Sequence, residues 1–267
     1  MRPAAPNPSL RASVVVPARD EEALVAKSLG ALALQRDVAP KEYEVLLVLD
    51  RCTDGTRDRA LEVASLHPSL RLYLLDGPGE GSGAARRVGM EAACERLLRT
   101  CGPGGLIAST DADTVVAPDW LASQLRAADA GARAIGGRID LAEDAALPPD
   151  ARRWHAEHGR ARYQKLLSDP DLAGAAEHWQ FSGASLALTA GTYREVGGLE
   201  PVTHLEDEYL EAVLRKRGVP IQRLLSVRVT TSPRLRGRAT RGLSHDLSRV
   251  AAGPQASVIS ETPKPDG

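Results

Sequence analysis

The chain has 267 residues, 43% hydrophobic and 26% charged, with 34 basic side chains against 35 acidic and a net charge of −1. That much apolar material excludes global disorder and supports one large domain or two small ones. The neutral balance and the 3% aromatic content exclude a nucleic-acid partner, which calls for a basic excess and rings that stack on bases. In chain order, residues 1–11 are Pro-rich and read as a flexible leader. Residues 13–17 (SVVVP) form a short apolar, β-branched run ended by proline, which predicts a buried strand. Asp20, Glu21 and Glu22 follow, suited to a helix N-terminus, and Leu24, Val25, Leu29 and Leu32 recur at helical spacing. Strands are predicted at 44–50, 71–75 and 105–110, helices at 57–66 and 84–98, and a glycine-rich loop at 77–83.

This alternation predicts βαβ units: an α/β fold with a Rossmann-like, mostly parallel sheet and helices on both faces. Ligands of such sheets bind outside the carboxyl ends of the strands. Three of those ends are polar: Pro17-Ala18-Arg19-Asp20, Asp50 to Gly55, and Asp111-Ala112-Asp113. The second half is more mixed, with a charged helix at 149–167, a strand at 181–190, a helix at 206–217 and a strand at 221–230. Residues 251–267 read as a disordered tail. Cys52, Cys94 and Cys101 are too few for a disulfide framework and form no CxxC pair. The N-terminus lacks an apolar signal region, and no run approaches the roughly 20 apolar residues of a membrane span. The expectation is a cytoplasmic protein with no transmembrane segment and with peripheral membrane contact left open.

Asp111 and Asp113 carry the strongest local signal. Two carboxylates one residue apart at a strand end can share one Mg²⁺ or Mn²⁺, one bound directly and the other through water or a hydroxyl. The alternative is a solvated turn that caps the helix near Pro118. Gly79 to Gly83, followed by Arg86 and Arg87, suits a diphosphate: glycine permits close backbone approach and arginine presents a fork of donors. A dinucleotide site is disfavoured, because the glycine loop follows the third strand and no GxGxxG is present. Arg234, Arg236, Arg238 and Arg241 cluster near the C-terminus and suit either a phosphate or a solvated basic loop.

Six segments occur in order: VVVPARDEE (14–22), VLDRCTDGT (48–56), GSGAARRVG (81–89), TDADTVVAPDWL (110–121), FSGASLALTAGTYREVGGL (181–199) and EDEYLEAVLRKRG (206–218). In that order they resemble a family 2 glycosyltransferase with the GT-A fold. The resemblance implies a single domain at 12–250, with a nucleotide-sugar-binding half at 12–113 and an acceptor-binding half at 114–250. It implies a metal-assisted glycosyltransferase, a hexosyltransferase, that moves a sugar from a UDP- or GDP-sugar to a hydroxyl acceptor. Donor contacts implied are Pro17, Ala18, Arg19, Glu21, Asp50, Gly81, Arg86, Asp111 and Ala112. Leu49 stands where the family usually has the first of two aspartates. Metal ligands implied are Asp113, Asp111 and His245. Asp207 is the implied general base, supported by Glu206, with His204 beside the acceptor. Inverting and retaining outcomes both remain open. The alternatives are a sugar nucleotidyltransferase on a similar sheet, and a noncatalytic nucleotide- or carbohydrate-binding module.

Overall fold

The computed structural model describes residues 4–144, 146–169, 176–200, 202, 205–235 and 243–252. The expectations for His204, Arg236, Arg238, Arg241 and the tail beyond residue 252 lie outside the described residues. The first half alternates as read from the sequence: β1 (Ala12–Ala18), α1 (Val25–Ala33), β2 (Tyr43–Leu49), α2 (Thr56–Leu66), β3 (Leu72–Asp76), α3 (Ser82–Thr100) and β4 (Leu106–Ser109). The second half follows with β5 (Thr114–Val116), α4 (Trp120–Asp129), β6 (Ala134–Leu141), α5 (Pro149–Leu167), β7 (Leu186–Thr189), α6 (Ala190–Glu195), α7 (Glu206–Lys216), β8 (Ile221–Thr231) and α8 (Leu243–Ala252).

One sheet runs β3-β2-β1-β4-β7-β6-β8-β5. The β3-β2-β1-β4 portion is parallel, β7 is antiparallel to both its neighbours, β6 and β8 are parallel, and β5 is antiparallel to β8. The period of two along each strand sorts the core onto two faces. Val14, Val16, Val45 and Leu47 pack beneath α1, α2 and α4, whereas Val15, Leu46 and Val48 face α3, α6 and α7. The fold is therefore mixed α/β, mostly parallel, with helices on both faces. Gly89 lets α3 lie close on the sheet, since a Cβ there would stand 2.3 Å from Val15 Cγ1. Under α3, Arg96 forms a buried two-pronged ion pair with Glu44, Nε to Oε1 and Nη2 to Oε2 each at 2.6 Å.

Several boundaries differ from the sequence reading. The acidic run Asp20 to Glu22 does not start α1. Its groups serve the loop after β2: Thr53 N donates to Asp20 at 2.6 Å, Glu21 N donates to Thr56 Oγ1 at 2.7 Å, and Glu22 N donates to Asp54 at 3.0 Å. Local hydrogen bonds of this kind compete with helix, and the turn at Asp20 takes φ 51°. The strand expected over 181–190 is confined to Leu186–Thr189, because the Thr189 side chain accepts from Thr192 N and caps α6. The leader expected at 1–11 is tied down where it is described: Leu10 is buried and Arg96 donates to the Ala4 carbonyl at 2.7 Å. Strands β5 and β6 and helix α8 had no sequence expectation. Helix α8 buries Leu247 against Leu147 and Ala151 of the α5 region.

Candidate functional site

Strands β1, β2 and β4 end on one side of the sheet, and a large cleft opens there. Most of the residues proposed from the sequence line this cleft: Pro17, Ala18, Arg19 and Glu21 after β1; Asp50 after β2; Gly81 and Arg86 at the start of α3; Asp111, Ala112 and Asp113 after β4; Glu206 and Asp207 at the start of α7; and His245 on α8; Arg87 does not, and pairs with Glu91 at 2.8 Å. Among the described residues, four non-glycine residues have positive φ, and three of them, Asp20, Arg51 and Leu205, stand at turns bordering this cleft. Such backbone conformations cost energy and concentrate at functional sites. At Leu205 (φ 60°) the turn delivers Glu206 and Asp207 to the cleft as the first residues of α7.

Asp50 is buried and holds the glycine loop. Its two carboxylate oxygens accept from Gly79 N and from Gly81 N, the latter at 3.0 Å. Gly77 passes so close that a Cβ would lie 2.8 Å from Asp50 Oδ1. The loop amides expected to face a diphosphate are thus engaged by the protein's own carboxylate.

Arg86 is also occupied. It is 3% exposed, and its guanidinium donates to Glu206 Oε1 at 2.8 Å, to Asp111 Oδ1 at 2.7 Å, to the Gly183 carbonyl at 2.9 Å and to Ser109 Oγ at 2.5 Å. Burial opposes its charge, but the carboxylates of Asp111 and Glu206 outweigh burial and raise its pKa further. This arginine, expected on the diphosphate, joins the two acidic pairs.

The carboxylates of the first pair differ. Asp111 is about one-third exposed, whereas the Asp113 side chain is only 11% exposed and pairs with Arg234 at 2.8 Å. Burial, together with the like charges of Asp111 and Glu21, pushes Asp113 up to about 6 against the opposing pull of Arg234. Arg234 also grips Glu21 with both Nη atoms, at 2.6 and 3.0 Å, so it bridges the β1 end and the β4 end. The basic segment that contains Arg234 was legible, but this bridge was not, because residues 21, 113 and 234 meet only in the fold.

Asp111 and Asp113, each already paired with an arginine, present hard carboxylate oxygens one residue apart on the cleft, the donor type that Mg²⁺ or Mn²⁺ takes. His245 lines the same cleft, and its Nδ1 lies 3.4 Å from Asp246. Among the described residues, Asp111, Asp113 and His245 do not gather within 4.8 Å as one ligand set; the group that does is Asp20, Cys52 and Asp54. The acids of that group already serve the β2–α2 turn.

On the far wall, Asp207 Oδ2 accepts from Gly183 N at 3.0 Å and Oδ1 from Glu208 N at 2.9 Å. The Gly183 contact comes from the FSGAS segment and escaped sequence reasoning because it uses backbone alone. Helix α5 adds Trp154, His155, His158, Arg162 and Lys165 to the cleft. Trp154 stacks on His158 with centroids 4.8 Å apart, and Arg162 lies 5.0 Å over the Trp179 ring. Among the described residues no helix is long and apolar enough to cross a membrane.

Comparison with known proteins identifies the family and the fold. Glycosyltransferase AglE of Haloferax volcanii is 28% identical over 131 residues, 48% of this chain and 39% of that protein. The dolichyl-phosphate beta-glucosyltransferase of Drosophila melanogaster is 33% identical over 165 residues, 57% of this chain and 48% of that protein. The matches thus span less than half of either relative's length. In fold, the chain is similar to the mannosyltransferase PcManGT of Pyrobaculum calidifontis, solved with GDP-Man and Mn²⁺, at TM-score 0.60 and 21% identity over 90% of this chain and 61% of that one. It is similar too to S. aureus TarS (residues 1–349) with UDP-GlcNAc, at TM-score 0.60 and 16% identity over 91% and 66%. These neighbours share the GT-A architecture, and a family model for glycosyl transferase family 2 matches residues 13–180. More than half of the sequence is thereby accounted for, and the chain belongs to glycosyl transferase family 2.

Proposed function

We propose that the protein is a metal-assisted hexosyltransferase that moves a sugar from a UDP- or GDP-sugar to a hydroxyl acceptor. The observation that carries this reading is the cleft with two acidic pairs on separate walls, Asp111 and Asp113 after β4, Glu206 and Asp207 at the start of α7. Pro17, Ala18, Arg19 and Asp50 border the nucleoside, and Glu21 does so through its grip on Arg234. Gly81 and Ala112 leave room for the donor. Asp111 and Asp113 would hold a divalent cation, with His245 as a further ligand; that cation supplies the charge that neutralises the departing diphosphate.

The chemistry of the far wall follows from this chain's own groups. An acceptor hydroxyl is a poor nucleophile until its proton is being removed, so it needs a base within hydrogen-bond reach. Asp207 faces the cleft, with one oxygen held by Gly183 N and the other by Glu208 N. Asp207 takes the acceptor proton, and Glu206, buried against Arg86, anchors the turn that presents it.

The test is a panel of nucleotide sugars with Mn²⁺, read as nucleoside diphosphate release and as thermal shift, since a ligand that binds only the folded state stabilises it. Asp113→Asn is expected to abolish the Mn²⁺-dependent part of nucleoside diphosphate affinity. Equal affinity with EDTA and with Mn²⁺ removes the metal from the reading. Asp207→Asn keeps shape without the base, and transfer is expected to fall about 10²- to 10⁴-fold with donor affinity unchanged. Turnover of sugar phosphate with nucleoside triphosphate favours a nucleotidyltransferase instead; donor binding with no turnover favours a binding module. A second reading has a phosphate as acceptor, favoured by Arg162 and Lys165 on the α5 wall. An ionised acceptor has no proton to lose, so Asp207→Asn then leaves its transfer rate intact.

A further inference from the structure

We propose that Arg86 is a positioning residue: it sets the placement of Asp207 relative to Asp111 without itself binding the donor. The proposal rests on the reading of Asp207 as the base.

The geometry makes Arg86 the shared support of both walls. Nη2 is bonded to Asp111 and Nε to Glu206, the chain neighbour of Asp207. Nη1 donates to the carbonyl of Gly183, whose N–H in turn donates to Asp207 Oδ2. Arg86 therefore reaches the base by two routes, one through Glu206 and the other through Gly183. Four of the five N–H donors of a guanidinium are accounted for within the protein, which leaves little to offer a diphosphate. Gly183 is fitted to this use, because a Cβ there would stand 2.3 Å from Arg86 Nη2. Lysine keeps the positive charge but carries its three donors on one nitrogen, and so cannot reproduce the fork that spans Asp111, Glu206 and Gly183.

The test compares Arg86→Lys, Asp207→Asn and the double variant, using UDP-glucose and GDP-mannose with Mn²⁺ and measuring release of UDP or GDP. Calorimetry in EDTA, where Asp111 carries no cation, gives the affinity for UDP and GDP, and amide exchange gives local protection. In Arg86→Lys the release rate is expected to fall about 10²-fold, with nucleoside diphosphate affinity within about threefold of the parent. Because both changes act through one base, the double variant is expected to be no more than about threefold slower than Asp207→Asn alone. Exchange is expected to accelerate in the peptides covering 181–185 and 205–210, while β1 and β2 stay protected.

Nucleoside diphosphate affinity that falls in step with the rate makes Arg86 a donor ligand and overturns the proposal. So do losses that multiply in the double variant, and so does unchanged exchange in both peptides. Asp207→Asn at the parental rate overturns the base assignment itself, whereas a slow Asp207→Asn with multiplied losses overturns the role of Arg86 alone. Should Arg86→Lys fail to fold, Gly183→Ala carries the same comparison, since it displaces the guanidinium and leaves its charge in place.

Discussion

All seven residues of β1 and all seven of β2 are buried, whereas α5 buries one residue of its 19, Ala151. Strands β1 and β2 lie in apolar clusters on both faces of the sheet, and those clusters also take in Trp120, Leu188, Leu214 and Val229 of the second half. The second half adds polar ties to its apolar contacts: Glu206 to Arg86, Asp207 to Gly183, and Arg223, itself fully buried, to Glu211. Apolar burial is non-directional and tolerates small errors, while a buried ion pair depends on both partners. The same size of chemical change should therefore unsettle stability at β1 and β2 and the geometry of the cleft at these ties.

The sharpest way to break that contrast is to put a polar fault inside the apolar half. Arg96→Met leaves Glu44 charged and 1% exposed, and a loss of about 3–5 kcal/mol in urea-unfolding free energy is expected. A loss below about 1 kcal/mol would mean that Ser13, which donates to Glu44 at 2.8 Å, satisfies the acid by itself.

A pH series sharpens the comparison on the other side. Burial, helped by the Arg223 cation, lowers His178 to about 4. The unfolded chain takes up this proton from about pH 6.5 downward and the folded chain does not, so stability is full above pH 6.5 and is lost as pH falls toward 4. The gap is about 2.5 pKa units, or about 3 kcal/mol. Unfolding free energies at pH 7 and pH 4 should differ by that much less in His178→Gln than in the parent.

Smaller effects follow. Gly89→Ala drives a methyl into Val15 and Val48, and a loss of about 1–3 kcal/mol is expected from thermal unfolding. On α5, Arg153 and Asp150 form an ion pair with both side chains mostly exposed, and Arg153→Ala should move stability by no more than about 0.5 kcal/mol. A larger shift there would show that α5 is held by more than Ala151 and its contact with α8.

The two halves also differed in how far the sequence revealed them. Runs such as VVV at 14–16 and VLLVL at 45–49 announce buried parallel strands, and their polar ends converge on the cleft as expected. Strand β6 begins AIGG and carries Arg138 and Asp140, so its period is broken, and its place is set by pairing with β7 and β8. The site was legible as residue types but not as contacts. Asp111 and Glu206 lie 95 positions apart, and no local pattern shows that one arginine joins them. Gly183 was hidden for a different reason, since its contribution is an N–H that every residue except proline carries.

Asp50 has a consequence for salt and metal dependence. As a tethered anion, it occupies the amides of Gly79 and Gly81 at the effective concentration of an intramolecular group, and a diffusing phosphate must compete with it. The glycine loop is thereby self-neutralised, unlike loops whose free amides attract anions. On the proposed function, charge for a diphosphate would come instead from a cation held by Asp111 and Asp113. The expected outcome is a donor affinity that follows the concentration of free divalent ion, with phosphate or sulfate alone a poor competitor.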